Sequence, residues 1–214
     1  MRRMKMVTLI IDGLTLEAEE GEKILDVALR NSIFIPHLCY LEADDEPFGG
    51  CRLCLVEIEG KGKPVTACTE RIQDGMVVRT ETERVTALRR SALSLLLSNH
   101  RVDCGHCFAN GRCALQDLAR RFNMGLKAKG LKDLSMEESL DRTLSPLLYD
   151  RSKCVLCGRC VRWSKSNGTG IFQFARRGLA TTIALFPWDG DRKFIDEACK
   201  VCPVGALYLE EKQI

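Results

Sequence analysis

The 214-residue sequence contains no stretch near the ~18 consecutive apolar residues of a membrane-spanning helix, so no direct membrane insertion is expected. Its beginning does not read as a secretory leader either. Arg2, Arg3 and Lys5 precede an alternating stretch that meets Asp12-Gly13 and an acidic run rather than an apolar core. A surplus of one charge is also missing. Thirty-two Lys and Arg oppose 29 Asp and Glu for a net charge of +3, too little to imply a nucleic-acid partner. The pairs Arg89-Arg90, Arg120-Arg121 and Arg176-Arg177 form no basic stripe and are expected on solvated helix faces. There is no evident nucleophile, general acid–base pair, phosphate loop or flavin site. Asp103 and the scattered carboxylates are expected to be solvated, and the chain is expected to be non-catalytic. Histidine is scarce, with three residues, whereas cysteine numbers twelve. Without a leader, those cysteines are expected in a reducing, cytoplasmic compartment. Disulfides are rare there, and metal binding is the better reading.

Eleven of the cysteines and His100 sort into three groups of four. Cys39, Cys51, Cys54 and Cys68 read C-x11-C-x2-C-x13-C. His100, Cys104, Cys107 and Cys113 read H-x3-C-x2-C-x5-C. Cys154, Cys157 and Cys160 read C-x2-C-x2-C, with Cys202 followed by Pro203 far downstream. Four ligands are what an iron–sulfur cluster or a tetrahedral zinc takes. The first group has one close C-x2-C pair where zinc ribbons favour two, and it departs from the plant-type ferredoxin spacing, so a [2Fe–2S] cluster is favoured over zinc. In the second, a neutral imidazole replaces an anionic thiolate, which raises a cluster's potential; a Cys3His zinc site is the rival. The third is the [4Fe–4S] ferredoxin signature, because three thiolates on one tight loop suit three corners of a cube. Gly49, Gly50, Gly158 and Gly205 are expected to let backbone pass close to the clusters. His106 is expected to point away from the second site, and His37 to be packed or solvated. Cys199 remains either a packed thiol, which is favoured, or an alternative ligand.

The expected fold class is α+β. Residues 7–11 and 14–18 flank Asp12-Gly13 as a hairpin, 22–31 reads as a helix, and 53–59, 65–68 and 76–80 read as strands. Together they predict an N-terminal β-grasp [2Fe–2S] ferredoxin-like domain over 1–80. Helices over 83–98 and 114–122 bracket the second group in a helical His/Cys segment over 81–124. In the first of these, Val85, Leu88, Ala92, Leu95 and Leu96 are expected to form the apolar face. Residues 125–145 read as a connector with a short helix at 135–140. A ferredoxin-like [4Fe–4S] domain is expected over 146–214, with strands at 171–174 and 181–185, a helix at 194–200 and a last strand at 206–210.

The segments Pro36-His-Leu-Cys-Tyr40, Gly50-Cys-Arg-Leu-Cys-Leu-Val-Glu57, Thr66-Ala-Cys-Thr69 and Cys202-Pro-Val-Gly-Ala-Leu207, with His100, Cys104, Cys107 and Cys113, carry a family resemblance. Almost the whole chain resembles the N-terminal region of the large iron–sulfur subunit of respiratory complex I. It also resembles the small iron–sulfur diaphorase subunit of NAD-linked hydrogenases, and matching portions of NAD-linked formate dehydrogenases and [FeFe] hydrogenases. Complex I and formate dehydrogenase subunits of this kind continue into a large domain, so the diaphorase-type subunit is the expected counterpart. The resemblance implies one [2Fe–2S] cluster on the first group and [4Fe–4S] clusters on the other two, with His100 as a ligand. It further implies a partner flavoprotein that binds FMN and NAD(H). Relay of single electrons to a hydrogenase, formate dehydrogenase or related reductase is the function this implies. The alternatives are an independent ferredoxin-like carrier and, in another class, a zinc-stabilised interaction module.

Overall fold

Asp12 and Gly13 both take positive φ, 49° and 85°, as a type I′ two-residue turn requires. They join β1 (Met6–Ile11) to β2 (Leu14–Glu19) in antiparallel register, Ile11 opposite Leu14. The computed structural model describes residues 5–210 apart from 43, 128, 138 and 189–191. The described chain divides into two compact units, 1–92 and 93–214.

In the first unit, α1 (Ile24–Arg30) follows the hairpin and buries Ile24, Leu25, Val27 and Ala28. Next come β3 (Leu55–Ile58), β4 (Val65–Thr66) and β5 (Val77–Arg79), completing a sheet of order β2-β1-β5-β3-β4. The β1–β5 pairing is parallel and the others are antiparallel. The helix between the hairpin and the returning strands is the β-grasp crossover that parallel pairing demands. Inward residues alternate along the strands: Val7, Leu9 and Ile11 on β1 meet Val56, Ile58 and Val78 in one core. The Asp12 carboxylate accepts from the Thr80 amide at 2.7 Å and from the Thr80 hydroxyl, tying the hairpin turn to the end of β5.

Helix α2 spans Glu83–Ser98, with Thr82 Oγ1 accepting from the Val85 amide at its start. Its buried stripe is Val85, Arg89, Leu93 and Leu97. This corrects the expected apolar face: Leu88 and Leu95 are 41% and 61% exposed. It also corrects the expectation that Arg89 is solvated, because Arg89 is 1% exposed. An arginine inside the stripe shifts the apparent hydrophobic periodicity onto the wrong residues.

In the second unit, α3 (Ala114–Arg121) buries Leu115, Leu118 and Ala119. Strands β6 (Leu140–Leu144), β7 (Leu147–Asp150) and, at the end, β10 (Leu207–Leu209) form an antiparallel sheet of order β10-β7-β6. Between β7 and β10 lie α4 (Arg159–Ser166), the hairpin of β8 (Phe172–Ala175) and β9 (Thr182–Leu185), and α5 (Arg192–Val201). The short helix expected over 135–140 does not form. Residues 135–137 are irregular, Glu138 lies outside the described residues, and strand β6 begins at Leu140, where its pairing with β7 overrides local helical preference. Both β7, buried along its length, and α4 went unread in the sequence. The first is too short to show a period, and the second is largely polar and carries Cys160.

Candidate metal centres

No disulfide joins the twelve cysteines, all of which lie among the described residues. In the first group Cys39, Cys51, Cys54 and Cys68 are all buried. The Cys54 and Cys68 sulfurs are 3.3 Å apart. The Cys39 thiol, with the amides of Cys39 and Leu53, holds the Cys51 thiol down at about 7 against the effect of burial. Cys68 and burial push the Cys54 thiol far up, and Cys39 adds to the same push, so all four cysteines act on one another. The loop approaches with Arg52 at φ 55°. A polar buttress stands behind Cys39. The Tyr40 hydroxyl bonds Asp26, and the buried Lys23 ammonium reaches Asp44 O at 2.8 Å, Asp26 at 3.4 Å and the face of the Tyr40 ring.

In the second group Cys113 is buried and Cys104 and Cys107 are half-buried. Burial pushes the Cys113 thiol up, and the Cys107 and Cys104 thiols push the same way, so these three cysteines face a common region. Gln116 on α3 braces the loop, accepting from Gly111 N at 3.0 Å and donating to Asn110 Oδ1 at 2.9 Å. His100 follows the C-terminus of α2 and is 8% exposed. Its Nδ1 lies 2.9 Å from Lys153 O. A carbonyl only accepts, so Nδ1 carries the proton and Nε2 is left with its lone pair. Burial lowers the imidazole pKa, which keeps that lone pair available. The hydrogen bond of His100 therefore runs to the residue before Cys154, at the third group. His106 is exposed and pairs with Asp103 Oδ1 at 3.0 Å. His37 Nδ1 lies 2.9 Å from Ile35 O, with the ring edge-on to Tyr40.

In the third group Cys154, Cys157, Cys160 and Cys202 line one small cavity whose other walls include Ile183 and Val204. Burial there pushes the Cys154 thiol up to about 11 and Cys157 up to about 12, and raises Cys160 as well. Backbone amides point at the sulfurs: Leu156 N lies 3.4 Å from Cys154 Sγ and Ala206 N 3.3 Å from Cys202 Sγ. Tyr149 lines the same cavity, and its buried hydroxyl has no close hydrogen-bond partner. Burial, followed by the neighbouring Cys154, pushes that phenol up. Cys199 lines an adjoining cleft of about 610 Å³ with Arg159, Lys200 and Pro203, a cleft that Cys202 also lines.

The second and third groups meet at Gly205. A Cβ there would fall 2.7 Å from Ala109 Cβ and 3.1 Å from Cys107 Sγ, at φ 74°. The expected closeness of backbone at Gly205 is thus an approach to the neighbouring cysteine loop. Phe108 stacks on Tyr208 with centroids 4.2 Å apart, and Ala114 N donates to Pro203 O at 2.9 Å.

Three family models match in series: a 2Fe-2S iron-sulfur cluster binding domain over 4–83, the NADH-ubiquinone oxidoreductase-G iron-sulfur binding region over 89–126, and a 4Fe-4S single cluster domain over 147–209. The chain is 35% identical over 97% of its length to the NADP-reducing hydrogenase subunit HndD of Solidesulfovibrio fructosivorans, spanning 37% of that protein. It is 36% identical over 94% of its length to an NADH-quinone oxidoreductase subunit of Rhizobium meliloti (strain 1021), spanning 24% of it. A chain in the crystal structure of an NAD+-reducing [NiFe]-hydrogenase in the H2-reduced state superposes with a TM-score of 0.84 at 29% identity, over 97% of this chain and 89% of that one. The chain is thus similar to iron–sulfur subunits of NAD(P)-linked hydrogenases and NADH-quinone oxidoreductases. The chain spans about a quarter to two-fifths of the curated relatives it matches. Among its described residues no helix is long and apolar enough to cross a membrane.

The donor sets fit clusters. The four buried cysteines of the first group act on one another, and Cys154, Cys157, Cys160 and Cys202 line one cavity, so each set can offer its thiolates to one cluster. The third cavity also presents the Tyr149 hydroxyl, which has no hydrogen-bond partner there, toward those four thiols.

Proposed function

We propose that the chain relays single electrons between an NAD(H)/FMN flavoprotein subunit and a catalytic oxidoreductase partner such as a hydrogenase or formate dehydrogenase. In this reading Cys39, Cys51, Cys54 and Cys68 hold a [2Fe–2S] cluster. His100, Cys104, Cys107 and Cys113 hold one [4Fe–4S] cluster, and Cys154, Cys157, Cys160 and Cys202 hold another. The clusters supply reversible one-electron chemistry when bound. The chain's own residues hold them in segments 1–80, 81–124 and 146–214, exclude water and aim donors at sulfur. The observation that carries the reading is the contact of Gly205, three residues beyond Cys202, with Cys107 Sγ and Ala109. It brings the backbone of one four-ligand set against a ligand of the next, as a relay requires.

The His100–Lys153 bond supports the same arrangement, since it ties the imidazole to the residue preceding Cys154. The hydrogenase and NAD(P)-linked partners follow the names of relatives, an NADP-reducing hydrogenase, an NADH-quinone oxidoreductase and an NAD+-reducing hydrogenase, while FMN and formate dehydrogenase follow from the sequence resemblance alone. Anaerobic purification of the native complex tests the proposal. A relay subunit yields about ten irons with matching sulfide per chain, and co-purifies with flavin. About three colourless zinc ions per chain would overturn it. Isolation of an iron-loaded chain without flavin or partners would instead identify a free carrier.

A further inference from the structure

The one charged side chain in the buried stripe of α2 is Arg89, 1% exposed. Arginine is almost never fully buried unless paired. Here Nη2 donates to Leu55 O at 2.6 Å, and Nη1 lies 3.5 Å from Glu81. Glu81 is 70% exposed, so water screens its charge. Arg89 Nε has no hydrogen-bond partner. Asp12, another anion acting on the guanidinium, already accepts from the Thr80 amide and hydroxyl. A buried cation without a buried counter-charge is costly. Leu55, whose carbonyl it grips, directly follows Cys54. A cluster held by the four thiolates of that site would be net negative and would supply the missing counter-charge.

We infer that Arg89 is a positioning residue for the first site, a fixed buried cation that raises the reduction potential of the cluster held by Cys39, Cys51, Cys54 and Cys68. This rests on the [2Fe–2S] reading of that site. Reduction adds negative charge beside the guanidinium, so the cation favours the reduced form more than the oxidised one. Water cannot screen a charge sealed in the core as it screens a surface charge. The same side chain fixes the start of β3 through Leu55 O.

The test is an EPR-monitored redox titration of the purified complex carrying Arg89→Met, Arg89→Lys or Glu81→Gln, with iron and sulfide measured on each. The first-site signal is expected to persist in Arg89→Met with its midpoint moved negative. Arg89→Lys, which keeps the charge, stays nearer the wild type. Glu81→Gln, whose charge water already screens, leaves the midpoint near the wild type. An unchanged midpoint in Arg89→Met with the signal intact overturns the inference and leaves the cluster assignment standing. Should Arg89→Met not assemble, Arg89→Gln, which keeps a donor for Leu55 O without the charge, decides: a negative shift upholds the inference and no shift overturns it. Absence of any [2Fe–2S] signal in the wild type would overturn both the assignment and the inference built on it.

Discussion

Replacing Gly205 by alanine places a methyl group 2.7 Å from Ala109 Cβ, 3.1 Å from Cys107 Sγ and 3.3 Å from Ala109 N. Two costs combine. Gly205 sits at φ 74°, in the left-handed region, where a Cβ costs about 1–2 kcal/mol. The methyl also overpacks a contact whose backbone member cannot swing aside, at about 1–3 kcal/mol more. The sum is about 2–5 kcal/mol, or a fall in Tm of about 4–20 °C for a chain of this size. Gly168→Ala is the control, because it shares φ 74° but meets nothing within 4 Å. It should lose only the backbone part, about 2–6 °C. Calorimetry of both variants in the iron-loaded state measures the difference. Equal losses would refute the claim that the two cysteine loops are packed through Gly205. The second-site EPR signal should broaden in Gly205→Ala and not in the control, since Cys107 must move.

Three further outcomes follow from the site geometry. His100→Cys should keep its cluster and lower its potential, because a thiolate adds negative charge where imidazole had none; an unchanged midpoint in redox-titrated EPR would sink the ligand assignment. The Tyr149 hydroxyl is left free to donate to sulfur once the third site is loaded, so Tyr149→Phe should move that midpoint negative with iron content unchanged; a midpoint within error of wild type would mean the loaded site takes no hydrogen bond from it. Cys202→Ser should lower third-site iron occupancy while Cys199→Ser leaves it at the wild-type value, which iron analysis and EPR check; equal losses would make Cys199 a ligand.

The N-terminal sheet was legible because its signals are local. Asp12-Gly13 dictates a two-residue turn, Val7, Leu9 and Ile11 alternate, and α1 shows a helical apolar period. The C-terminal unit was less legible. Strand β7 is four buried residues, too few for a period, and β6 owes its form to β7 rather than to its own polar sequence. At the sites, the candidate ligands could be named from spacing. Their supports could not: Lys153 O reaches His100 from 53 residues away, Lys23 packs over Tyr40 beside Cys39, and nothing in the sequence marks Tyr149 as facing the third cavity. Arg89 was misread outright: a charged residue carries no sequence sign that it faces inward.

By itself the sequence determined which donors exist and which stand close along the chain, because a C-x2-C loop presents neighbouring thiolates wherever it is placed. It also determined the α+β class, through turn chemistry and hydrophobic period. Only the tertiary structure decided that Gly205 presses on Cys107, that His100 donates its Nδ1–H to Lys153 O, and that Arg89 lies sealed beside the first site. Those contacts join residues far apart in the chain. Their energies come from packing and desolvation, which no local pattern encodes.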